Sequence, residues 1–237
     1  MTSSPSFVGT PKCWTAAIGS GITVGNWQPL RDNLQNGAGA SGSKITSITA
    51  TSTDATARVV SVGIGRCFGQ TAGAPAYTGT FAITMLNPSV ITVTNGHNFT
   101  GADQLFFSNA SSGGLFPTGL TQGNNAYVNA TSVTNTTFSF AATAGGANYN
   151  LTSNTTTNLV MTVVRYLGSV TVPTSGGTDG GNSGVNILSN SLLPGIPVDN
   201  DGNPYIFLEK DDFLVCTAPV APTANKIIHL QAMGGNF

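Results

Sequence analysis

The sequence predicts an all-β protein, and three observations lead there. Apolar residues recur with a period of two, with no stretch at the helical period of 3.6. Clusters of Gly, Asn and Pro punctuate these runs at roughly 8–12-residue spacing, the signature of short antiparallel strands. The polar content is Thr, Ser, Asn and Gly, residues that disfavour helix interiors and suit strands and turns. The expected architecture is an antiparallel, jelly-roll-like β-sandwich outer domain, an inserted small β-barrel or sandwich module, and an extended N-terminal arm.

Charge is unusually scarce. The 237 residues include 8 basic and 9 acidic side chains, 7% of the chain, with a net charge of −1; ordinary globular domains carry about 25%. A chain with so little self-repulsion tends to associate, which suggests a subunit of an assembly. There is no basic patch, so nucleic-acid binding by counterion release has no supporting residues. No apolar run approaches the ~18 residues of a membrane span. Cys13, Cys67 and Cys216 are too few and too widely spaced for a disulfide framework or a zinc site, and are read as buried or incidental thiols. The opening "MTSSPSFVGT" lacks a basic region and an apolar region, so no signal peptide is expected.

Residues 1–43 read as an arm, because Pro, Gly and Asn interrupt every apolar run; a short strand is expected near Ile22 to Trp27. Trp14 and Trp27 in that arm could contact a partner or dock on their own domain. In "KITSITATSTDATARVVSVGIGR" (44–66), Ile45, Ser47, Thr49 and Thr51 alternate, then Val60, Val62 and Ile64 do so after "TDAT", which predicts a hairpin. Residues 80–165 form a separate block of close-spaced strands. "YLGSVTVPTS", "YIFL", "DFLVCTA" and "NKIIHLQAMGGNF" then return to the earlier style. The expected organisation is an outer domain from 44–79 and 166–237, interrupted by the insert 80–165. A surface turn accommodates such an insert because loop-closure entropy grows slowly with length.

Two resemblances bear on function. "ITVTNGHNFTGADQLFFSN" followed by "GGLFPTGLTQGNNAYVNATSVTNTTFSFAATAGGANYNLT" resembles the FCCH-like β domains found within phage structural proteins. It implies a compact β module and no ubiquitin chemistry. "NGAGASGSKITSITATSTDATARVVSVGIG" and "YIFLEKDDFLVCTAPVAPTANKIIHLQAMGGNF" are similar to the opening and the ending of a family of small phage virion proteins. That resemblance implies a β-sandwich virion component, commonly a head decoration protein.

The residues that could carry chemistry read as scaffold. His97 precedes Asp103 by six positions, but Asn95-Gly96 and the 101–103 stretch are turn formers, and a general base needs a positioned partner in a pocket. His229 alternates with Ile228 and Leu230, so it belongs on the solvent side or at an interface. "PVDNDGNPY" fails the calcium-loop spacing and reads as an Asp201-Gly202 turn. "SGGTDGGNSG" lacks the phosphate-loop Lys and a following helix. The single charge cluster, Glu209, Lys210, Asp211 and Asp212, reads as a solvated turn or a charged rim against a partner.

No catalytic residue, metal or cofactor is therefore expected. The functional expectation, carried by the resemblance, is a cement protein that binds the major capsid protein of a tailed phage in the virion. It would be trimeric as such proteins commonly are, with Trp14, Trp27 and the 209–212 cluster as partner contacts. The alternative is a tail, baseplate or head-fibre part whose inserted module is an exposed host-surface or glycan-binding tip.

Overall fold

The computed structural model describes residues 10–21, 26–30, 42–70, 79–101, 103–109, 116–121, 123, 125–152, 159–178, 180–189, 191–193 and 195–236. The chain is all-β. In order, its strands are β1 (Thr10–Gly19), β2 (Gln28–Pro29), β3 (Ser43–Ser52), β4 (Arg58–Gly69), β5 (Gly79–Ile83), β6 (Val90–Val93) and β7 (Gln104–Asn109). There follow β8 (Asn125–Val128), β9 (Thr137–Ala141), β10 (Leu159–Val172), β11 (Val185–Asn186), β12 (Ile206–Leu208), β13 (Asp212–Thr217) and β14 (Ile227–Asn236). Among the described residues, one 3-10 turn, at Ala130–Ser132, interrupts them. The chain divides into an outer unit, 1–64 with 167–237, and an inserted unit, 65–166. The boundaries lie inside β4 and β10, so residues 65–70 and Gly79, expected in the outer domain, belong to the insert.

The outer unit is a sandwich. One sheet has the order β1-β14-β3-β11, with β12 also pairing β3; the other contains β10, β4, β13 and β2. Trp14, Ile18, Ile48, Ile228 and Leu230 from the first sheet meet Val60, Val62, Val170, Val172 and Leu214 from the second in one apolar core. The expected arm is corrected here. Residues 10–19 form a strand paired along its whole length with β14, from Thr10↔Asn236 to Gly19↔Ile227. Residues 28–30 run along β13, where the Leu30 N–H donates to the Leu214 carbonyl at 2.8 Å. The reason is burial: Trp14 is 3% and Trp27 4% exposed. Removing an indole from water contributes on the order of 4 kcal/mol, which outweighs the freedom of a short solvated segment. The expected strand near Ile22 lies partly outside the described residues.

The predicted hairpin is also corrected. β3 and β4 do not pair; they lie in opposite sheets, and 53–57 forms a corner between them. Alternation identifies a strand but carries no information about its partner. The face expected for β3 changes as well. Its register against β14 slips between Met233 and Gly234, leaving Thr46 as an extra residue opposite the bond between them. This bulge reverses the phase, so that Ile45 before it and Ile48 and Ala50 after it all point into the core. Gly234 makes the bulge possible, because a Cβ there would run into the Lys44 carbonyl oxygen.

Asp54 holds the corner. Its side chain is fully buried. It accepts from the Arg58 Nε at 2.8 Å, the Thr56 N–H at 3.0 Å, the Thr223 N–H at 2.8 Å and the Thr223 hydroxyl at 2.9 Å. Its own N–H donates to the Ser52 hydroxyl, and its carbonyl accepts from the Ser175 N–H. One residue thus ties the β3–β4 corner, the loop after β10 and the turn before β14. Burial works against the charge, but these donors outweigh it and hold the carboxyl well below the usual carboxylate range.

The inserted unit is a closed barrel. Its ring runs β4-β5-β6-β9-β8-β7-β10 and closes through β10–β4. The pairs β5–β6, β6–β9, β9–β8, β8–β7 and β7–β10 are antiparallel, whereas in β4–β5 Phe68 and Gly69 lie parallel to Gly79 and Thr80. At the closing seam the Gln70 N–H donates to the Leu159 carbonyl at 3.0 Å, and the Cys67 thiol lies 3.2 Å from the Thr162 hydroxyl. Closure removes the free strand edges that invite aggregation. Phe81, Ile91, Val93, Leu105, Phe107, Phe138 and Phe140 fill the interior. Their rings meet at tilted or edge-on angles, with Phe107–Phe140 centroids 5.6 Å apart and Phe99–Phe138 5.5 Å apart.

Two substitutions test this architecture in the outer unit, which holds both tryptophans. Asp54→Ala leaves Arg58 and Thr223 donors without their acceptor, and should cost about 3 kcal/mol in urea unfolding followed by tryptophan fluorescence. In the parent, whose folded-state pKa lies below the unfolded one, this stabilisation is complete above about pH 4 and declines as pH falls further; in Asp54→Ala that acid-dependent component should be absent. Gly234→Val should lose about 1–3 kcal/mol in the same assay, because the bulge cannot admit a side chain. An unchanged midpoint for either variant contradicts the role assigned to it.

Candidate functional site

The residues singled out as chemical candidates occupy structural positions. His97 follows the Asn95-Gly96 turn, where both residues adopt positive φ (70° and 85°). Its ring stacks on Phe99 at 4.5 Å between centroids and meets the edge of Phe138 at 5.1 Å. Nδ1 accepts from the Phe99 N–H at 3.2 Å, while the buried Nε2 makes no acceptable hydrogen bond. Burial against these rings pushes its pKa below the ordinary value near 6.5; the Thr137 backbone and Asp103 act in the opposite direction and are outweighed. Asp103 uses one carboxylate oxygen to accept from the Thr100 N–H at 2.8 Å, closing its own turn. The pair buttresses the connection between β6 and β7, and no base–nucleophile geometry is formed.

The charge cluster is likewise a turn. Asp211 adopts a left-handed φ of 70°, and the Asp212 carboxylate folds back to accept from the Glu209 N–H at 3.2 Å. Asp212 is only 6% exposed, so it is withdrawn from any rim; Glu209 and Lys210 remain exposed. This turn links β12 in one sheet to β13 in the other. The burial of Trp14 and Trp27 likewise removes both indoles from the expected contact set: Trp14 packs in the core of the outer unit, and Trp27 is equally covered.

In "VDNDGN" the Asp199 carboxylate accepts from the N–H groups of Asp201 and Asn203, Gly202 has φ +81°, and Val198 bridges Pro204. These contacts make a tight turn, and Lys44 approaches it from β3, 3.9 Å from Asp199 and over the Tyr205 ring. The glycine loop is fastened to the end of β3: the Ser52 N–H donates to the Gly176 carbonyl, and the Thr178 hydroxyl donates to the Ser52 carbonyl. Asp179 within it lies outside the described residues. Burial pushes the Cys67 thiol up and the Cys216 thiol up to about 12, which suppresses thiolate formation. Among the described residues, no three His, Cys, Asp or Glu side chains are placed to hold a metal ion, and no helix is long and apolar enough to cross a membrane.

What the fold does build is a surface. On the side of the first sheet away from the core, registered rows run across β1, β14 and β3: Cys13–Met233–Ser47, Thr15–Gln231–Thr49 and Ala17–His229–Thr51. Every one of these positions is exposed or half-buried, and none is a Lys, Arg, Asp or Glu. Met233 is 52% exposed, and the Gln231 amide donates to the Cys13 sulfur at 3.2 Å. His229 and Gln231 lie on this outer side as the alternation in the sequence requires, with Ile228, Leu230 and Ala232 beneath them in the core. The β1 third of this surface is hidden in the sequence, where residues 10–19 read as part of an arm; the alternation of Trp14, Ala16 and Ile18 is the signal that marks it.

Comparison with protein-family models, curated proteins and solved structures found no match. The likeness to phage virion proteins and to FCCH-like modules therefore rests on the motifs quoted above.

The neutral imidazole of His97 gives the inserted unit a pH dependence of defined sign. Its folded-state pKa lies below the unfolded one, so stability is complete above about pH 6.5 and declines as pH falls below it. Thermal unfolding followed by tyrosine emission should show a Tm that falls between pH 7.5 and pH 5, and His97→Gln should flatten that slope. An equal slope in both proteins removes His97 as its source.

Proposed function

We propose that this chain is a structural subunit of a tailed-phage virion, a decoration protein that binds the outside of the major capsid shell and stabilises it. The observation that carries this reading is the uncharged part of the outer face of β1, β14 and β3, the three rows from Cys13–Met233–Ser47 to Ala17–His229–Thr51, which Lys44 and its partner Asp199 bound at one end. Charged side chains are depleted from the buried centres of protein interfaces, because each must be desolvated on contact. An exposed sheet surface without them can be covered at little electrostatic cost. Thr, Ser and Gln supply short hydrogen-bonding groups that lose little side-chain entropy when fixed. Repeated over many copies on a shell, even a modest contact of this kind adds up to substantial stabilisation. The scarcity of charge in the whole chain and the likeness to virion proteins at both ends of the outer unit support the same reading. The mechanism is mechanical: a stiff sandwich presents the face, and the work is done by area and shape, without a reacting centre. A trimeric state is expected from the resemblance.

The test is addition of purified chain to capsids lacking it, scored by co-sedimentation and by the temperature at which the heads rupture. Saturable binding that raises this temperature is expected. Thr15→Lys combined with Thr51→Lys, which are not register partners, places like charges on the exposed face without touching the core. That variant should keep its circular dichroism spectrum and lose at least about 100-fold in affinity, or about 3 kcal/mol. Recovery of the protein with tails alone, or undiminished head binding by the charged variant, would overturn the assignment.

A further inference from the structure

We propose that the inserted unit binds a neutral sugar residue in a polar pocket beside β7 and β10. This inference concerns the insert alone and does not depend on the capsid reading. The β10–β7 register ends at Val164↔Gln104, so β10 continues into Arg165 and Tyr166 without a partner from β7. The loop leading into β7 supplies the facing wall. Asn98, Thr100, Asp103, Gln104, Arg165 and Tyr166 line a pocket of about 440 Å³. That volume falls within the ~300–1,000 Å³ of small-ligand sites.

The lining selects the ligand class. None of the six residues is aliphatic, yet carbon of their side-chain stems and of the Tyr166 ring makes up more of the pocket's surface than polar atoms do, so a ligand needs C–H faces as well as polar groups. One guanidinium and one carboxylate cancel, so it does not favour a phosphate or another polyanion, which would call for surplus cations. What remains is a dense mixture of donors and acceptors: two amides, a hydroxyl, a carboxylate, a guanidinium and a phenol. A polyhydroxylated ring, each of whose hydroxyls both donates and accepts, fits this set. Tyr166 is 49% exposed, and an accessible aromatic side chain offers a surface for the C–H face of a pyranose. Arg165 is exposed and makes no hydrogen bond or ion pair with any described residue. The Asp103 turn, closed by the Thr100 N–H, fixes one wall before any ligand arrives.

The full chain would be titrated separately with glucose, galactose, mannose, N-acetylglucosamine and glucuronate, followed by saturation-transfer and chemical-shift NMR. Saturable binding of at least one neutral sugar is expected, with Kd on the order of 1 mM. Arg165→Gln and Tyr166→Ala should each weaken it at least about tenfold while leaving the spectrum of the barrel core intact. Asp103→Asn keeps an acceptor for Thr100 and should weaken binding without opening the turn. Absence of binding by every sugar, binding of glucuronate alone, or equal affinity in all variants would overturn the proposal. None of these results bears on capsid occupancy, so the two readings fail separately.

Discussion

The outer unit hangs on one buried carboxylate. Asp54 lies where the chain leaves one sheet for the other, and its acceptors gather donors from residues 56, 58 and 223. A corner between sheets has no ladder of its own, so its backbone polar groups need partners from elsewhere. Asp54 and its neighbour Ser52 meet that need, and through Ser175 and Thr223 they fasten two distant segments to the same point. The arrangement is tolerable only because the charge is matched: Arg58 lies 2.8 Å away with its side chain largely covered. In a chain with so few ions, one of the few close ion pairs is spent on the place where the two layers join.

The remaining polar residues follow a different logic. Threonine, serine and asparagine close turns locally, as at Asn129, which caps the 3-10 turn through Thr131, and at Thr134, which bonds Thr137. Such short-range bonds satisfy backbone groups without long flexible side chains. They leave sheet surfaces smooth and electrically quiet. The same economy that makes the outer face suitable for contact makes the insert depend on a closed ring, since it has few charges with which to guard a free edge.

Several features were legible in the residues. The alternation in 227–232 assigned His229 and Ile228 to their sides, and Asn95-Gly96 and Asp201-Gly202 marked turns that positive φ angles demand. What escaped was non-local. β1 contains Pro11 and ends at Gly19, so locally it reads as irregular; only ten registered pairs with the opposite end of the chain make it a strand. The β3–β4 corner and a hairpin share one pattern, and the choice between them is made by partners more than a hundred residues away. The bulge at Thr46 inverted a face that a strict period of two would misplace. Asp54 looked like an ordinary turn residue because its Thr223 partner is remote in sequence. The polar pocket was invisible for the same reason: Arg165 and Asp103 meet only through the register of β10 on β7.

One feature of the first sheet governs how the molecule comes into being. β14 lies between β1 and β3, both of which are synthesised well over a hundred residues before it. Until it emerges, β1 has no neighbour in this sheet, and β3 has only the short β11 and β12 on its other side. The contiguous barrel can close long before that moment. Synthesis therefore completes the insert before the outer sheet, and β14 joins β1 to the rest of that sheet only in a later step.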